Sequence, residues 1–115
     1  MSISAAYENT AAIGTTEFSC PNNSTTLTPI TADGIYQVFL DVSDMVAGDE
    51  LQIRAYEKVQ SAGTQRIIYQ SNLVGAQSPP IFVIPSLILL HGWDITLDCI
   101  AGTTINVAWS IRAVT

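Results

Sequence analysis

Few side chains in this sequence could carry out catalytic chemistry, and the histidine is the first to consider. His91 is the only histidine among the 115 residues, so one chain provides neither a histidine-based catalytic pair nor a multi-histidine metal site. It lies in Leu90-His91-Gly92, a sequence typical of a turn. The chain also lacks a glycine-rich phosphate loop, a nucleophile elbow and a CxxC pair. We therefore expect a protein that is not an enzyme and that binds no cofactor.

Acidic side chains form two groups that could hold a cation. Asp94, Thr96 and Asp98 share one face of a predicted strand, where alternate positions lie about 6–7 Å apart and do not converge as calcium ligands must. We interpret this face as solvated. The second group surrounds Met45 and is the better candidate, but its spacing matches no calcium-binding loop, so we expect no metal site. Its members are Asp41, Asp44, Asp49 and Glu50.

The two cysteines are expected to be free thiols. Cys20 falls in a predicted loop, and Cys99 lies on the apolar face of a predicted strand. The N-terminal sequence MSISAAYENT has neither the basic region nor the apolar run of a secretory signal. We therefore expect the chain to stay in the compartment where it is made, where thiols usually remain reduced. A disulfide between Cys20 and Cys99 is the alternative.

Composition excludes two further classes of partner. Only four residues are basic against ten acidic ones, giving a formal net charge of −6, so no basic patch can neutralise nucleic-acid phosphates. The longest apolar run, Ile81 to Leu90, is interrupted by Pro85 and is too short to cross a membrane. Charged residues make up only 12% of the chain, about half the usual share. Such a surface is often covered in part by another protein.

The pattern of alternating apolar residues predicts an all-β fold. Residues 93–100 and 105–113 alternate strictly around a turn at Gly102, which indicates a β-hairpin with one buried face. Similar runs along the chain give about eight short strands and no long helix. We therefore predict a single-domain antiparallel β-sandwich, jelly-roll-like, over residues 15–115. The predicted core consists of Val38, Leu40, Leu51, Ile53, Ile95, Leu97, Val107, Trp109 and Ile111.

Two segments carry apolar residues beyond those needed by a thin sandwich. Residues 1–14 have no apolar period and are predicted to form an extended arm; the alternative is that residues 7–13 form a first strand. The arm contains three sizeable apolar side chains, Ile3, Tyr7 and Ile13. In the second segment, residues 81–90, we predict a self-association surface. It would consist of Phe82, Ile84, Leu87 and Leu89.

Four sequence motifs resemble a family of small virion structural proteins of tailed bacteriophages. They are the Gly48-Asp49-Glu50-Leu51 tetrapeptide, the hairpin from Tyr56 to Arg66, the segment from Ile84 to Trp93 and the ending Trp109 to Arg112. The resemblance covers about two-thirds of the chain, from Ile35 onward. It implies a virion protein of the capsid decoration, or cement, type and carries over no catalytic residue.

The resemblance also implies partners and a location. A decoration protein made in the host cytoplasm would bind the major capsid protein on the capsid exterior, as a homotrimer. The composition of the arm, with almost no charge and three spaced apolar residues, separately predicts Ile3, Tyr7 and Ile13 as the capsid-binding set. A phage tail or neck component is the first alternative. The second is a carbohydrate-binding module, for which the exposed aromatic candidates are Tyr36, Tyr56 and Tyr69.

Overall fold

The protein contains eight β-strands and no helix, in a computed structural model that describes all 115 residues. No helix is therefore present that could cross a membrane. This architecture confirms the all-β sandwich predicted from the alternating pattern. The strands are β1 (Ile3–Ile13), β2 (Phe18–Ser19), β3 (Gly34–Asp41), β4 (Glu50–Glu57), β5 (Arg66–Val74), β6 (Ile81–Leu89), β7 (Asp94–Ala101) and β8 (Ile105–Val114).

The strands form two four-stranded antiparallel sheets with a nested order. Sheet A has the order β1-β8-β3-β6, and sheet B has the order β2-β7-β4-β5. The pairs β1–β8, β2–β7, β3–β6 and β4–β5 therefore nest like the two arms of one long hairpin, with alternate pairs assigned to opposite sheets. This arrangement is the eight-stranded jelly roll.

The core lies between the two sheets and is built from the inward positions of both. It contains 20 buried apolar residues, and all nine residues predicted for the core are among them. Trp93 is completely buried and contacts Tyr36, with 4.8 Å between the ring centroids. Trp109 packs edge to face against Phe18, at 5.6 Å. These aromatic pairs contribute large buried areas on both sheets.

The expected N-terminal arm is instead the first strand, which corrects the boundary drawn at residue 14. β1 pairs with β8 from Ile3 opposite Val114 to Ile13 opposite Ile105. Ile13 is fully buried, and the Tyr7 ring packs edge to face on Trp93, at 5.8 Å. An edge strand with one exposed face needs few apolar residues, and therefore its sequence shows no clear period. The sandwich begins at Ile3, so the first strand is four residues longer than the alternative of residues 7–13 had it.

Removing the Trp109 side chain should destabilise the whole domain. Trp109 is 4% exposed in the middle of β8, and a buried Trp→Ala change costs about 3–5 kcal/mol. We expect Trp109→Ala to lower the melting temperature by more than about 10 °C. The control is Val59→Ala, since Val59 is 86% exposed and should change stability by less than about 0.5 kcal/mol. Equal melting temperatures for the two variants would contradict this description of the core.

Candidate interaction surface

A row of aliphatic side chains crosses the outer face of sheet A. The strand register places Ile3, Val114, Ile35 and Ile88 side by side on β1, β8, β3 and β6. Ile3 is 60% exposed, Ile35 42% and Ile88 76%. Single exposed apolar residues are common on proteins, but three of them joined into a contiguous row by the partly exposed Val114 are not. The row is therefore a candidate contact surface.

The same outer face is apolar along the edge strand β6. Ile81 and Val83 are 44% and 40% exposed, and Val83 lies opposite Phe39 of β3. The guanidinium of Arg112 stacks over the Phe39 ring, 3.8 Å from its centroid, a favourable cation–π contact. We call the following set the apolar face: Ile3, Ile35, Phe39, Ile81, Val83, Ile88 and Val114.

Charged groups on this side of the molecule are few, and one of them, Asp41, lies directly opposite Ile81 of β6. The Ser110 hydroxyl donates to Glu8 Oε2 at 2.6 Å, and Arg112 Nε donates to Ser110 Oγ at 3.1 Å. Hydrogen bonding from the Ser43 side chain, and from the Ser43 backbone N–H, lowers the pKa of the Asp41 carboxyl group. No charged residue occurs in β6. A shallow cavity of about 380 Å³ opens between the charged groups and the Phe39 and Ile81 side chains.

The residues predicted for self-association lie on the opposite face of β6. Ile84 and Leu89 are buried, at 3% and 1% exposure, and Phe82 and Leu87 pack partly against the core. A register shift opposite Pro85 keeps all four on one face, as predicted, but that face points into the sandwich. β6 is apolar on both sides, so alternation alone could not show which side is inward.

The three residues predicted to bind the capsid are separated by the fold. Ile3 belongs to the apolar face, whereas Tyr7 is half-buried against Trp93 and Ile13 is fully buried in the core. Only Ile3 can therefore contact a partner without rearrangement of the sandwich.

The outer face of sheet B is polar at its centre, whereas Ile67 and Val74 of β5, opposite Tyr56 and Glu50, are 46% and 68% exposed. Glu17, just before β2, accepts hydrogen bonds through Oε2 from the Tyr56 hydroxyl at 2.6 Å and from the Thr96 hydroxyl. The same oxygen lies 3.7 Å from Arg54 Nη1. This network joins the segment before β2 to the strands β4 and β7. Its polar groups serve as hydrogen-bond or ionic partners for one another. We call the following set the polar face: Gln52, Arg54, Tyr56, Gln70, Asn72, Thr96 and Asp98.

Asp94 and Thr96 are buried, which corrects the prediction of a solvated face. Asp94 is 2% exposed and Thr96 1%. Asp94 Oδ1 accepts hydrogen bonds from the Ser19 hydroxyl at 2.7 Å and from the backbone N–H of Ile95 at 2.8 Å. Burial raises the pKa of the Asp94 carboxyl group to about 6 despite these bonds. Asp98 is only partly buried, and burial raises its pKa too.

The other side chains that could be reactive, two carboxylates and two thiols, have structural roles. Asp44 and Asp49 accept hydrogen bonds from the backbone N–H groups of Asn106 and Val46, so these carboxylates connect and close loops. Cys20 and Cys99 are free and buried. Burial raises the pKa of both thiols, which keeps them in the poorly nucleophilic neutral form.

The fold and its surfaces define a single-domain jelly-roll β-sandwich with one apolar and one polar outer face. No family model matches the chain, and no curated protein matches it. Among solved structures, the Yersinia pseudotuberculosis-derived mitogen is similar at a TM-score of 0.54 and 10% identity, over 98% of this chain and 86% of that one. This likeness shows the fold alone.

A second solved structure has a weaker likeness. It contains the CBM22-1 and GH10 modules of the Clostridium thermocellum endo-1,4-beta-D-xylanase 10B in complex with xylohexaose. The TM-score is 0.38 at 10% identity, over 92% of this chain and 26% of that one. At that TM-score the match carries no argument about function.

Neutralising Asp94 should stabilise the protein in a pH-dependent way. Its folded-state pKa is raised from 3.8 to about 6, so the folded protein retains a proton that the unfolded chain releases. Stability is therefore lost as the pH rises from about 4 to about 6, and the full cost, about 2–3 kcal/mol, is present above that range. We expect Asp94→Asn to raise the free energy of unfolding by this amount at pH 7.5 and by little at pH 4.

Denaturant unfolding at both pH values measures the effect. Asp33→Asn is the control, because Asp33 is exposed and the substitution changes the net charge equally. If both variants gained the same free energy of unfolding at pH 7.5, the effect would come from the change in net charge and not from the burial of Asp94.

Proposed function

We propose that the protein is a virion structural protein of a tailed phage and acts as a capsid decoration protein. It would bind the major capsid protein on the capsid exterior and stabilise the head. The contrast between the apolar face of sheet A and the polar face of sheet B is the observation that carries this proposal. The resemblance of the sequence motifs to small phage virion proteins points in the same direction.

The apolar face is the surface proposed to dock on the capsid. Ile88, Ile3 and Ile35 would each lose water-exposed apolar surface on docking, and full burial of such a side chain is worth about 1.5–3 kcal/mol. Arg112 and Glu8 would lie at the polar side of the contact, where they could select the orientation of docking. The polar face of sheet B would lie on the side of the sandwich away from the capsid.

The size of the apolar face favours attachment of several copies together. Four strands about 4.8 Å apart, each about 33 Å long, give the whole outer side of sheet A an area of about 600 Å², and the apolar face is only part of it. A stable complex usually buries about 800 Å² per partner. One copy would therefore bind weakly, and joined copies on a repeating lattice would bind much more tightly. The homotrimer implied by the resemblance would meet this need.

Two alternatives remain from the sequence. A tail or neck component could use the same apolar face, but it would be present in few copies per virion rather than hundreds. A carbohydrate-binding module would need exposed aromatic rings on one sheet face. Tyr36 is buried, and Tyr56 and Tyr69 are half-buried, so the three tyrosines do not form such a platform. Negative-stain images of the parent virion would separate head from tail.

A charge placed on the apolar face should abolish capsid binding without unfolding the protein. Ile88 is 76% exposed, so Ile88→Asp should fold normally but introduce a carboxylate that docking must desolvate. We expect at least a tenfold loss of cosedimentation with undecorated capsids of the parent phage. Val59→Asp is the matched control, because Val59 is 86% exposed in the β4–β5 loop and the charge change is the same. Wild-type binding by a folded Ile88→Asp variant would exclude the apolar face as the docking surface.

A further inference from the structure

A second cavity lies at the end of the sandwich where the β4–β5 and β6–β7 loops meet. It has a volume of about 260 Å³ and lies apart from the apolar face. Its lining is mostly polar, with a single large apolar side chain. The lining residues are Pro29, Thr31, Lys58, Ser61, Leu90, His91 and Gly92.

Backbone hydrogen bonds hold the two loops in place around this cavity. Lys58 N–H donates to the carbonyl oxygen of His91 at 3.0 Å. The Gln65 side-chain amide donates to the carbonyl oxygen of Gly92 at 2.9 Å. From the neighbouring strand, Glu57 Oε2 accepts hydrogen bonds from the backbone N–H groups of Leu90 and His91. The cavity is therefore formed by fixed backbone, and it does not depend on a loose loop.

Gly92 provides the space in which the Lys58 side chain lies. Gly92 has a φ of +49°, a left-handed conformation that favours glycine. A Cβ atom at this position would lie 3.1 Å from Lys58 Cε and 3.6 Å from Nζ. The absence of a side chain thus lets the lysine stem pack against the backbone, which positions the ammonium group beside the cavity.

The polar side chains around the cavity have no partners within the protein. Lys58, His91, Thr31 and Ser61 make no side-chain hydrogen bond to another protein group, in contrast to the Gln65 amide beside them. The protein's single ion pair joins Arg54 and Glu17, so the Lys58 ammonium also lacks a carboxylate within 4.0 Å.

The carboxylate that precedes Lys58 in the sequence, Glu57, already has hydrogen-bond partners. Glu57 accepts the two backbone N–H groups of the β6–β7 loop and lies directly opposite Arg66 on β5. Lys58 is thus the one cationic side chain in the lining of the cavity, in a chain whose net charge is −6. An ammonium group with hydroxyl and imidazole donors around it matches the oxygens of an anion.

We propose that this cavity binds a small oxyanion, with Lys58 as the charged contact and Thr31, Ser61 and His91 as hydrogen-bonding groups. The site is independent of capsid docking, since it shares no residue with the apolar face. The bound oxyanion could be a phosphate or a carboxylate group, since both present oxygen acceptors. The two groups differ in charge and shape.

Backbone NMR titration of the intact protein tests the proposal. Inorganic phosphate should cause saturable shifts of the N–H signals of Lys58, Ser61, His91 and Gly92, with a dissociation constant in the range of about 1 mM, while sodium chloride at the same ionic strength should not. Acetate is the second probe. Saturation by both anions supports a general oxyanion site, and saturation by phosphate alone supports the proposal in the narrower form of a phosphate site.

Two variants separate a specific site from bulk electrostatics. Lys58→Met should weaken phosphate binding at least about tenfold, because hydrogen bonds to charged groups are among the stronger ones. Arg66→Met removes the same charge from the same end of the molecule but no lining group, and it should bind phosphate almost as the wild type does. Equal weakening in both variants, or no saturable shift in the wild type, would overturn the proposal. Neither outcome would bear on the proposal that the capsid is bound through Ile88.

Discussion

The position of β8 between β1 and β3 is the constraint on which sheet A depends. β8 pairs with β1 over its whole length and with β3 along its C-terminal part, and β3 in turn carries β6. Ile105, Val107 and Ile111 of β8 are fully buried, so the strand that joins the sheet also fills the core. Because β1 and β8 come from the two ends of the chain, this pairing also brings Ser2 and Thr115 together. Sheet A can be complete only when the last strand has formed.

Both sheets place alternate apolar residues in the core, but their outer faces differ in chemistry. On sheet B, the segment around Glu17 and Ser19 lies beside β7 and forms hydrogen bonds with Asp94 and Thr96 of β7 and with Tyr56 of β4. Buried polar groups gain most when such networks are complete. On sheet A no segment of the chain covers the outer face, which is aliphatic in the row from Ile3 to Ile88 and along β6. Most polar groups on the outer face of sheet B thus have partners within the chain, Asp98 Oδ1 being an exception, and the apolar face of sheet A has no covering segment.

The sequence predicted the fold well because alternation records which side of a strand is buried. The runs around Leu51, Ile95 and Val107 alternate strictly and were assigned to the core correctly. β1 was missed because an edge strand with small and polar residues has no apolar period to recognise. In β6, where both faces are apolar, alternation grouped the residues correctly but could not orient them. The burial of Asp94 depends on a covering segment 75 residues away in sequence, from Ser19, which local pattern cannot reveal.

The exposed edges of sheet A set limits on how the isolated protein can behave. Unpaired edge strands can add strands from other chains, and proteins commonly protect them with lysine, proline or bulges. β6 carries Pro85, and β1 has a register shift between Ala5 and Tyr7. The Asn9 side chain also accepts the Thr10 N–H. These features disfavour continuous strand addition but leave the apolar face open. Mutual repulsion from the net charge of −6 opposes face-to-face association and weakens as salt screens it. A partner that covers the apolar face without adding negative charge would therefore be favoured over another free copy.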